Sequence, residues 1–307
     1  MNMDGFGSIV VDVDALAAVH PAMDRAVEVA RACGARLKVV DVVAIPGDVR
    51  GYLPQGLEEV IIRQRRERLA AIGAAADGVS VECDVLLGRA SIELIREVLR
   101  SGHDLLIRSH ARDLAAPKAF GAIDMQLFRQ CPCPVWAVGP SATTAPRRVL
   151  AAVHATADDA EEQALNRKIL DAALLLAGFG SGTVTVFQAW SAFGEDLLRS
   201  HSKPEDVAAY VKAASDAART TLDDLVRSFG NRLGSARVEL KKGDPEDIIP
   251  RFVVSEGIDL VVMGTVARTG IAGFIIGNTA ERLLQRLVCS VFAVKPDGFR
   301  TPVRLDE

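Results

Sequence analysis

The chain has 307 residues, of which 49% are hydrophobic and 25% charged, and its formal net charge is −4. This composition is that of a globular protein and excludes a disordered chain. The acidic balance argues against a nucleic-acid partner, because neutralising phosphates needs a basic surface. The length suits two domains of roughly 150 residues, each with its own core.

In chain order, the first half predicts strands and helices in alternation. Apolar residues recur at helical spacing in the helices, as with Ile92, Ile95 and Val98, whereas the strands are short apolar runs. The predicted strands are residues 9–13, 36–43, 79–87, 105–107 and 135–138. The predicted helices are residues 21–33, 57–76, 91–99 and a helix that follows Gly121.

The second half predicts the same order of elements. Its strands are expected at residues 149–153, 183–189, 236–240, 260–263 and 291–294. Its helices are expected at residues 162–177, 207–229, 247–255 and 279–287. Continuously apolar strands that alternate with helices indicate parallel sheets covered on both faces.

The fold class predicted by this pattern is α/β, with two tandem doubly wound domains that each contain a five-stranded parallel sheet. We expect the first domain at residues 1–140 and the second at residues 149–307. The segment between them, residues 141–148, is rich in Pro, Ser and Thr and is expected to be a linker.

A repeat supports the two-domain interpretation. Residues 105–140 align without a gap on residues 261–296, an offset of 156, and ten of the 36 aligned pairs are identical. A segment that ends both halves in the same way indicates two copies of one domain, so that the copies can be compared position by position.

The cysteines and the apolar runs bear on location. Five cysteines are few and odd in number, which favours free thiols in a reducing compartment. No signal peptide is recognised, and no apolar run approaches the roughly 20 residues that a membrane span requires. We expect a cytoplasmic protein without a membrane span.

The pair Cys131 and Cys133, each followed by proline, is open to two interpretations. A metal or redox pair is one, although a structural zinc site needs about four ligands and no other Cys or His pair lies nearby in sequence. Packing in the core is the other, and it is favoured because Cys133 and Cys289 are repeat equivalents just before an apolar strand.

Ligands of open parallel sheets bind outside the carboxyl ends of the strands, which directs attention to the loop after the fourth strand. In the second half this loop begins at Gly264 and ends at Gly277, Asn278 and Thr279, where a helix is predicted to start. Glycine lets backbone N–H groups approach an anion, and Asn278 or Thr279 is expected to cap the helix or donate to a phosphate.

These residues resemble those of the universal stress protein family, specifically its tandem, E-type members. The resemblance extends over nearly the whole chain. The segments that carry it are Gly102-His-Asp-Leu, Cys-Pro-Cys-Pro, Gly243-Asp-Pro-Glu-Asp, Gly264-Thr-Val-Ala-Arg-Thr-Gly, Gly277-Asn-Thr-Ala-Glu and Lys295-Pro-Asp-Gly-Phe. The nucleotide-binding branch of this family has Gly-x-x-Gly, nine residues, then Gly-Ser/Thr after its fourth strand.

The resemblance implies that ATP or another adenine nucleotide binds in the second half. By this resemblance, the site residues would be Ala189, Gly264, Val266, Ala267, Gly277, Asn278 and Thr279. Ala267 stands where the second motif glycine belongs, and His154 replaces the aspartate that usually follows the first strand. No catalytic residue and no metal ligand is expected.

The first half departs further from the family pattern. It keeps Asp14 and Gly121, but in the gapless alignment Arg108 replaces the leading glycine, and Ala122 and Ile123 replace the polar cap. Two interpretations of its basic residues remain open, an anion pocket or exposed loop charges. The residues concerned are Arg108, His110, Arg112 and Lys118.

The function implied by the resemblance is that of a regulatory or ligand-sensing module in the stress response rather than an enzyme. Two alternatives stay open, namely slow ATP hydrolysis and a partner-binding module that has lost nucleotide. Single-domain members of the family pair through their fifth strands. We therefore expect residues 135–138 and 291–294 to pair within one chain as a pseudo-dimer, with no nucleic acid as partner.

Overall fold

The computed structural model describes residues 5–45, 52, 54–110, 120–139, 145–156, 159–265 and 277–305. In the first half the strands are β1 (Ser8–Asp12), β2 (Arg36–Val43), β3 (Val81–Leu87), β4 (Leu105–Ser109) and β5 (Val135–Val138). The helices are α1 (Pro21–Cys33), α2 (Leu57–Ala74), α3 (Ala90–Ser101) and α4 (Ala122–Gln130).

The second half repeats this order with one extra helix. Its strands are β6 (Arg148–Ala152), β7 (Thr183–Trp190), β8 (Arg237–Lys242), β9 (Leu260–Gly264) and β10 (Ser290–Val294). Its helices are α5 (Ala160–Phe179), α6 (Glu195–His201), α7 (Pro204–Phe229), α8 (Pro245–Glu256) and α9 (Asn278–Leu284), and a 3-10 turn spans Gly230–Leu233.

All ten strands form one sheet in the order β3-β2-β1-β4-β5-β10-β9-β6-β7-β8. Each set of five is parallel, and the order reverses between β1 and β4 and again between β6 and β9. The predicted α/β class and five parallel strands per half are confirmed. The halves share one continuous sheet instead of having separate ones.

The junction between the halves is the antiparallel pair β5 and β10, in which Trp136 lies opposite Phe292. These two rings are buried and meet edge to face, with centroids 5.8 Å apart. The expected pairing of the fifth strands within one chain is thus present. Because each of these strands would otherwise be an exposed apolar edge strand, their pairing protects both from association with other chains.

Helices cover both faces of the sheet, and an apolar core runs along each face. One core packs α1, α2, α5 and α7 against side chains such as Val11 and Val262. The other packs α3, α4, α8 and α9 against the alternate side chains, such as Val10 and Val261. Both cores continue across the junction, because β5 and β10 contribute to each.

The predicted elements differ from the structure in detail. Helix α6 was not predicted, because its seven residues carry no buried apolar side chain and so give no periodic signal. Strand β6 begins at Arg148, one residue inside the expected linker, and residues 140–144 lie outside the described part of the chain. The division into residues 1–140 and 149–307 remains a prediction.

Among the residues that the structure describes, none of the helices is both long enough and apolar enough to span a bilayer.

Candidate functional site

A cavity of about 600 Å³ opens at the carboxyl ends of β6, β7 and β9 in the second half. Four of the predicted site residues line it, namely Ala189, Gly264, Gly277 and Thr279. Asn278 is the exposed first residue of α9 and is not among the lining residues. Val266 and Ala267 lie outside the described residues.

Gly264 is the last residue of β9 and packs closely against the neighbouring helix in the wall of the cavity. A Cβ at this position would lie 2.8 Å from Cδ2 of Leu165 on α5, so that any larger residue would push this side chain aside. The N–H of Gly277 donates to the carbonyl of Thr265 at 3.3 Å. This hydrogen bond holds the end of β9 next to the start of α9.

The prediction that Asn278 or Thr279 caps α9 is wrong. The N-cap residue is Gly277, and no side chain makes a capping hydrogen bond there, so that neither Asn278 nor Thr279 has this role.

Two buried amides fix the loop after β6, which forms one side of the cavity. Asn166 accepts from the N–H of His154 at 3.0 Å and donates to its carbonyl at 2.8 Å. Gln188 accepts from the N–H of Ala155 at 3.1 Å. Buried amides that satisfy backbone groups in this way hold a loop in one conformation. This wall of the cavity is therefore preformed.

The cavity is acidic. Asp159, Glu161 and Glu162 line it, and no Lys or Arg is among the described lining residues. Burial raises the pKa of Glu162, while a hydrogen bond from Thr156 lowers it and the charge of Asp159 raises it. Asp159 also caps α5 by accepting from the N–H groups of Glu161 and Glu162. This environment suits an uncharged ring better than several phosphates.

The same place in the first half is filled by charged side chains. Nε of Arg108 lies 3.0 Å from Asp124 and 3.7 Å from Asp12, and the Arg108 side chain is only 14% exposed. Burial raises the pKa of Asp12 to about 6. The Arg108 charge lowers this pKa, and the negative charges of neighbouring carboxylates add to the increase.

Arg65 of α2 reaches into this cluster from the side. It donates to Asp41 at 2.7 Å and to Asp14 at 3.0 Å. Asp41 also accepts a hydrogen bond from the N–H of Ala15. In the second half, Gln188 accepts the equivalent hydrogen bond from the N–H of Ala155. Asp14, which the family resemblance marks as a ligand position, is thus engaged with a cation of the chain itself.

Both interpretations of the basic residues in the first half need correction. Arg108 is neither exposed nor available to an anion, because it pairs with Asp12 and Asp124. His110 is buried and packs against Phe120, with ring centroids 4.5 Å apart. Arg112 and Lys118 lie outside the described residues.

Strand register also corrects the gapless repeat alignment. Arg108 pairs with Asp12 at the end of β1, whereas Met263 pairs with Ala152 at the end of β6. Arg108 therefore corresponds to Met263, and the counterpart of Gly264 is Ser109. The alignment is off by one residue along β4 and β9 and correct again where Gly121 and Gly277 precede their helices.

Sequence reasoning missed several residues that shape the two clefts. Asn166, Gln188 and Asp41 are polar residues inside apolar segments, and this is the signal that a buried polar contact leaves in a sequence. Arg65 gave no such signal, because it sits among other charged residues of α2.

Comparison with known proteins identifies the family. A sequence model of the Universal stress protein family matches residues 5–139 and again residues 146–295. The chain belongs to the universal stress protein family. Universal stress protein E of Escherichia coli strain K12 is 32% identical over 234 residues, which is 75% of this chain and 73% of that protein. This tandem universal stress protein is thus similar to E-type members, as the motifs predicted.

Solved structures agree with this tandem arrangement. A functionally unknown protein from Pseudomonas aeruginosa PAO1 superposes with a TM-score of 0.70 and 26% identity, covering 96% of this chain and 94% of that one. A universal stress protein from Archaeoglobus fulgidus superposes with a TM-score of 0.62 and 14% identity, covering 96% and 98%. The second likeness shows the fold alone.

Proposed function

We propose that this tandem universal stress protein is a cytoplasmic ligand-sensing module of the stress response, and that its second half binds an adenine nucleotide. The observation that carries the proposal is that Ala189, Gly264, Gly277 and Thr279, distant in sequence, line one cavity at the reversal of strand order. Clefts at this point of open parallel sheets are the usual ligand sites of such folds.

The lining supports a particular orientation of the ligand. Apolar and neutral groups, among them Ile249 and Met263, suit the adenine ring, whereas Gly264 and Gly277 have no side chain that would compete with the ribose and phosphates for space. Asp159 and Glu162 oppose every additional phosphate charge. We therefore expect affinity to fall from adenosine to ATP when Mg²⁺ is absent.

The proposal assigns regulation and not turnover. Phosphoryl transfer needs a positioned base and a metal ligand near the phosphates. Asp259 has neither role, because its carboxylate accepts from the N–H groups of Arg147 and Arg148 before β6, at the opposite end of the strands from the cavity. Among the described residues, no group of three or more His, Cys, Asp or Glu side chains could hold a metal ion.

Calorimetry on the full chain tests the proposal with matched variants. Gly277→Val should abolish adenosine and ATP binding, whereas Gly121→Val, the same change before α4, should leave it intact. Ala267→Gly should tighten ATP binding by about 1 kcal/mol, because a residue with a Cβ is strained in the left-handed conformation that the family motif uses. If Gly277→Val leaves binding unchanged, or if Gly121→Val abolishes it, the ligand does not bind in the second half as proposed.

The alternatives have their own outcomes. With ATP and Mg²⁺, phosphate release should not exceed that of a buffer control. Robust release that disappears in Thr279→Ala would make the protein a slow ATP-hydrolysing enzyme. Absence of binding by adenosine, AMP and ATP alike would favour a partner-binding module that has lost its nucleotide.

A further inference from the structure

Two sulfur atoms touch in the turn between α4 and β5. Sγ of Cys131 and Sγ of Cys133 are 3.6 Å apart, and both side chains are buried. This is van der Waals contact with no atom between them, and a disulfide requires them to approach to about 2.05 Å. Pro132 joins the two cysteines, so that little backbone motion can separate the pair.

A buried lysine lies beside the sulfur pair. Lys295 follows β10, is 5% exposed, and its Nζ donates to the carbonyl of Phe128 and to Oγ1 of Thr265. Burial lowers the pKa of Lys295 to about 7, and negative charge on Cys131 and Cys133 opposes this decrease. The cation and the sulfurs are thus close enough for each to influence the charge of the other.

The two thiols are unequal. Although burial disfavours its thiolate, the pKa of Cys131 is lowered, because Cys133 donates a hydrogen bond to it and Lys295 supplies positive charge. Burial and the neighbouring Cys131 raise the pKa of Cys133. Since the thiolate is the reactive form of cysteine, this inequality favours Cys131 as the nucleophile and Cys133 as the resolving thiol.

The pair is reached from outside through a cavity of about 850 Å³ at the junction of the halves. Cys133 and Lys295 form part of its wall, together with Cys33, His103 and Phe299. Cys131 is fully buried behind Cys133, with the two sulfurs in contact, so that a small oxidant from this cavity reaches Cys131 only when the Cys133 side chain turns aside.

We propose that Cys131 and Cys133 are a peroxide-oxidised dithiol, activated by Lys295, that closes to a reversible disulfide at the junction. The Cys131 thiolate attacks the O–O bond of the peroxide, becomes a sulfenic acid and releases an alcohol or water. The Cys133 sulfur then attacks the sulfenic sulfur, forms the S–S bond and releases water. Two thiols and one peroxide thus give one disulfide, an alcohol or water, and a second water.

The experiment uses the full chain in reduced form with stoichiometric hydrogen peroxide. Samples are quenched with N-ethylmaleimide, digested and analysed by mass spectrometry. We expect the peptide that contains Cys131 and Cys133 to lose two hydrogens and both alkylation sites, and dithiothreitol to restore them. Cys289, the repeat counterpart of Cys133, is an internal control, because burial raises its pKa to about 12 and its thiol should stay reduced.

Variants separate the roles of the three residues. Cys133→Ser should leave a sulfenic acid on Cys131 that dimedone traps. Lys295→Met should slow disulfide formation at least tenfold, whereas Lys295→Arg, which keeps the charge, should retain most of the rate. Circular dichroism of each variant establishes that it is folded.

Three outcomes would overturn the proposal. One is that both thiols remain alkylated at a peroxide concentration that oxidises Cys33. Another is a disulfide between Cys33 and Cys133 in place of the expected one. The third is an unchanged rate in folded Lys295→Met, because the pair would then be two neighbouring thiols without an activating group.

Discussion

The clefts of the two halves occupy equivalent positions in the fold, but the residues that form them differ in charge. Residues that line an open cavity in the second half are replaced by charged residues that fill the first. The corresponding pairs are Ala152 and Asp12, Met263 and Arg108, Ala280 and Asp124, and His154 and Asp14. Arg65 and Asp41 extend this cluster, so that each charged group of the first cleft lies beside one of opposite sign.

This difference teaches how one scaffold can serve two purposes. A buried ion cluster stabilises only when all its members are present, since each charge has lost its hydration. The first cleft therefore contributes to a fixed structure, whereas the second leaves an open cavity for a ligand. Removing one charge in the first half, or adding one in the second, tests this comparison directly.

The largest effect is expected from Arg108→Met, which introduces the residue of the second half. It leaves Asp12 and Asp124 without their cation, and we expect the free energy of unfolding to fall by about 3–5 kcal/mol in urea titrations. Arg108→Lys is the control that keeps the charge. Adding Asp124→Asn to Arg108→Met should restore part of the loss, and a further decrease in the double variant would contradict a charge-balanced cluster.

The reverse exchange, Ala280→Asp, places a carboxylate in the wall of the open cavity. We expect at least a tenfold loss of ATP affinity, or about 1.4 kcal/mol, because the new charge repels the phosphates. Ala280→Ser tests for a steric effect alone. Equal affinity of Ala280→Asp and wild type in calorimetry would show that the nucleotide does not approach α9.

The smallest effect concerns pH. Asp12 has a pKa of about 6 in the folded protein, above the ordinary value of 3.8. The folded chain therefore binds more protons than the unfolded chain between these values, so that stability from this group is present below pH 4 and lost as pH rises through 6. Asp12→Asn should consequently gain about 1 kcal/mol over wild type between pH 5.5 and pH 7.5.

Urea titrations at both pH values measure this gain. Asp14→Asn removes the same charge from a side chain that is 66% exposed and serves as the control, with a smaller expected change. Identical pH dependence of wild type and Asp12→Asn would mean that Asp12 is solvated well enough to ionise normally.

Much of the fold could be predicted from the sequence, because strand and helix periodicities are local. The pairing of β5 with β10 was predicted from the family resemblance, and the apolar runs at 135–138 and 291–294 supported it, since apolar edge strands tend to pair. Helix α6 could not be predicted, because its apolar Leu197 faces solvent and produces no pattern.

The site was less predictable than the fold. Glycines near strand and helix ends indicated the second cleft, because their positions follow from local backbone needs. The one-residue offset between β4 and β9 depends on pairing with β1 and β6, which a gapless alignment of the repeat ignores. The cluster around Arg108 joins residues from five separate segments, so that no local pattern in the sequence indicates it.

The antiparallel β5–β10 junction has a consequence for how such a chain can change. Because of this junction, the five strands of the second half run in the opposite direction to those of the first. The two clefts therefore open at opposite ends of the strands. In a dimer of identical chains every substitution is made twice, and a cleft cannot be closed on one side only. Joining the copies in one chain lets each position change independently. One half can then stabilise the fold while the other keeps a cavity open to solvent.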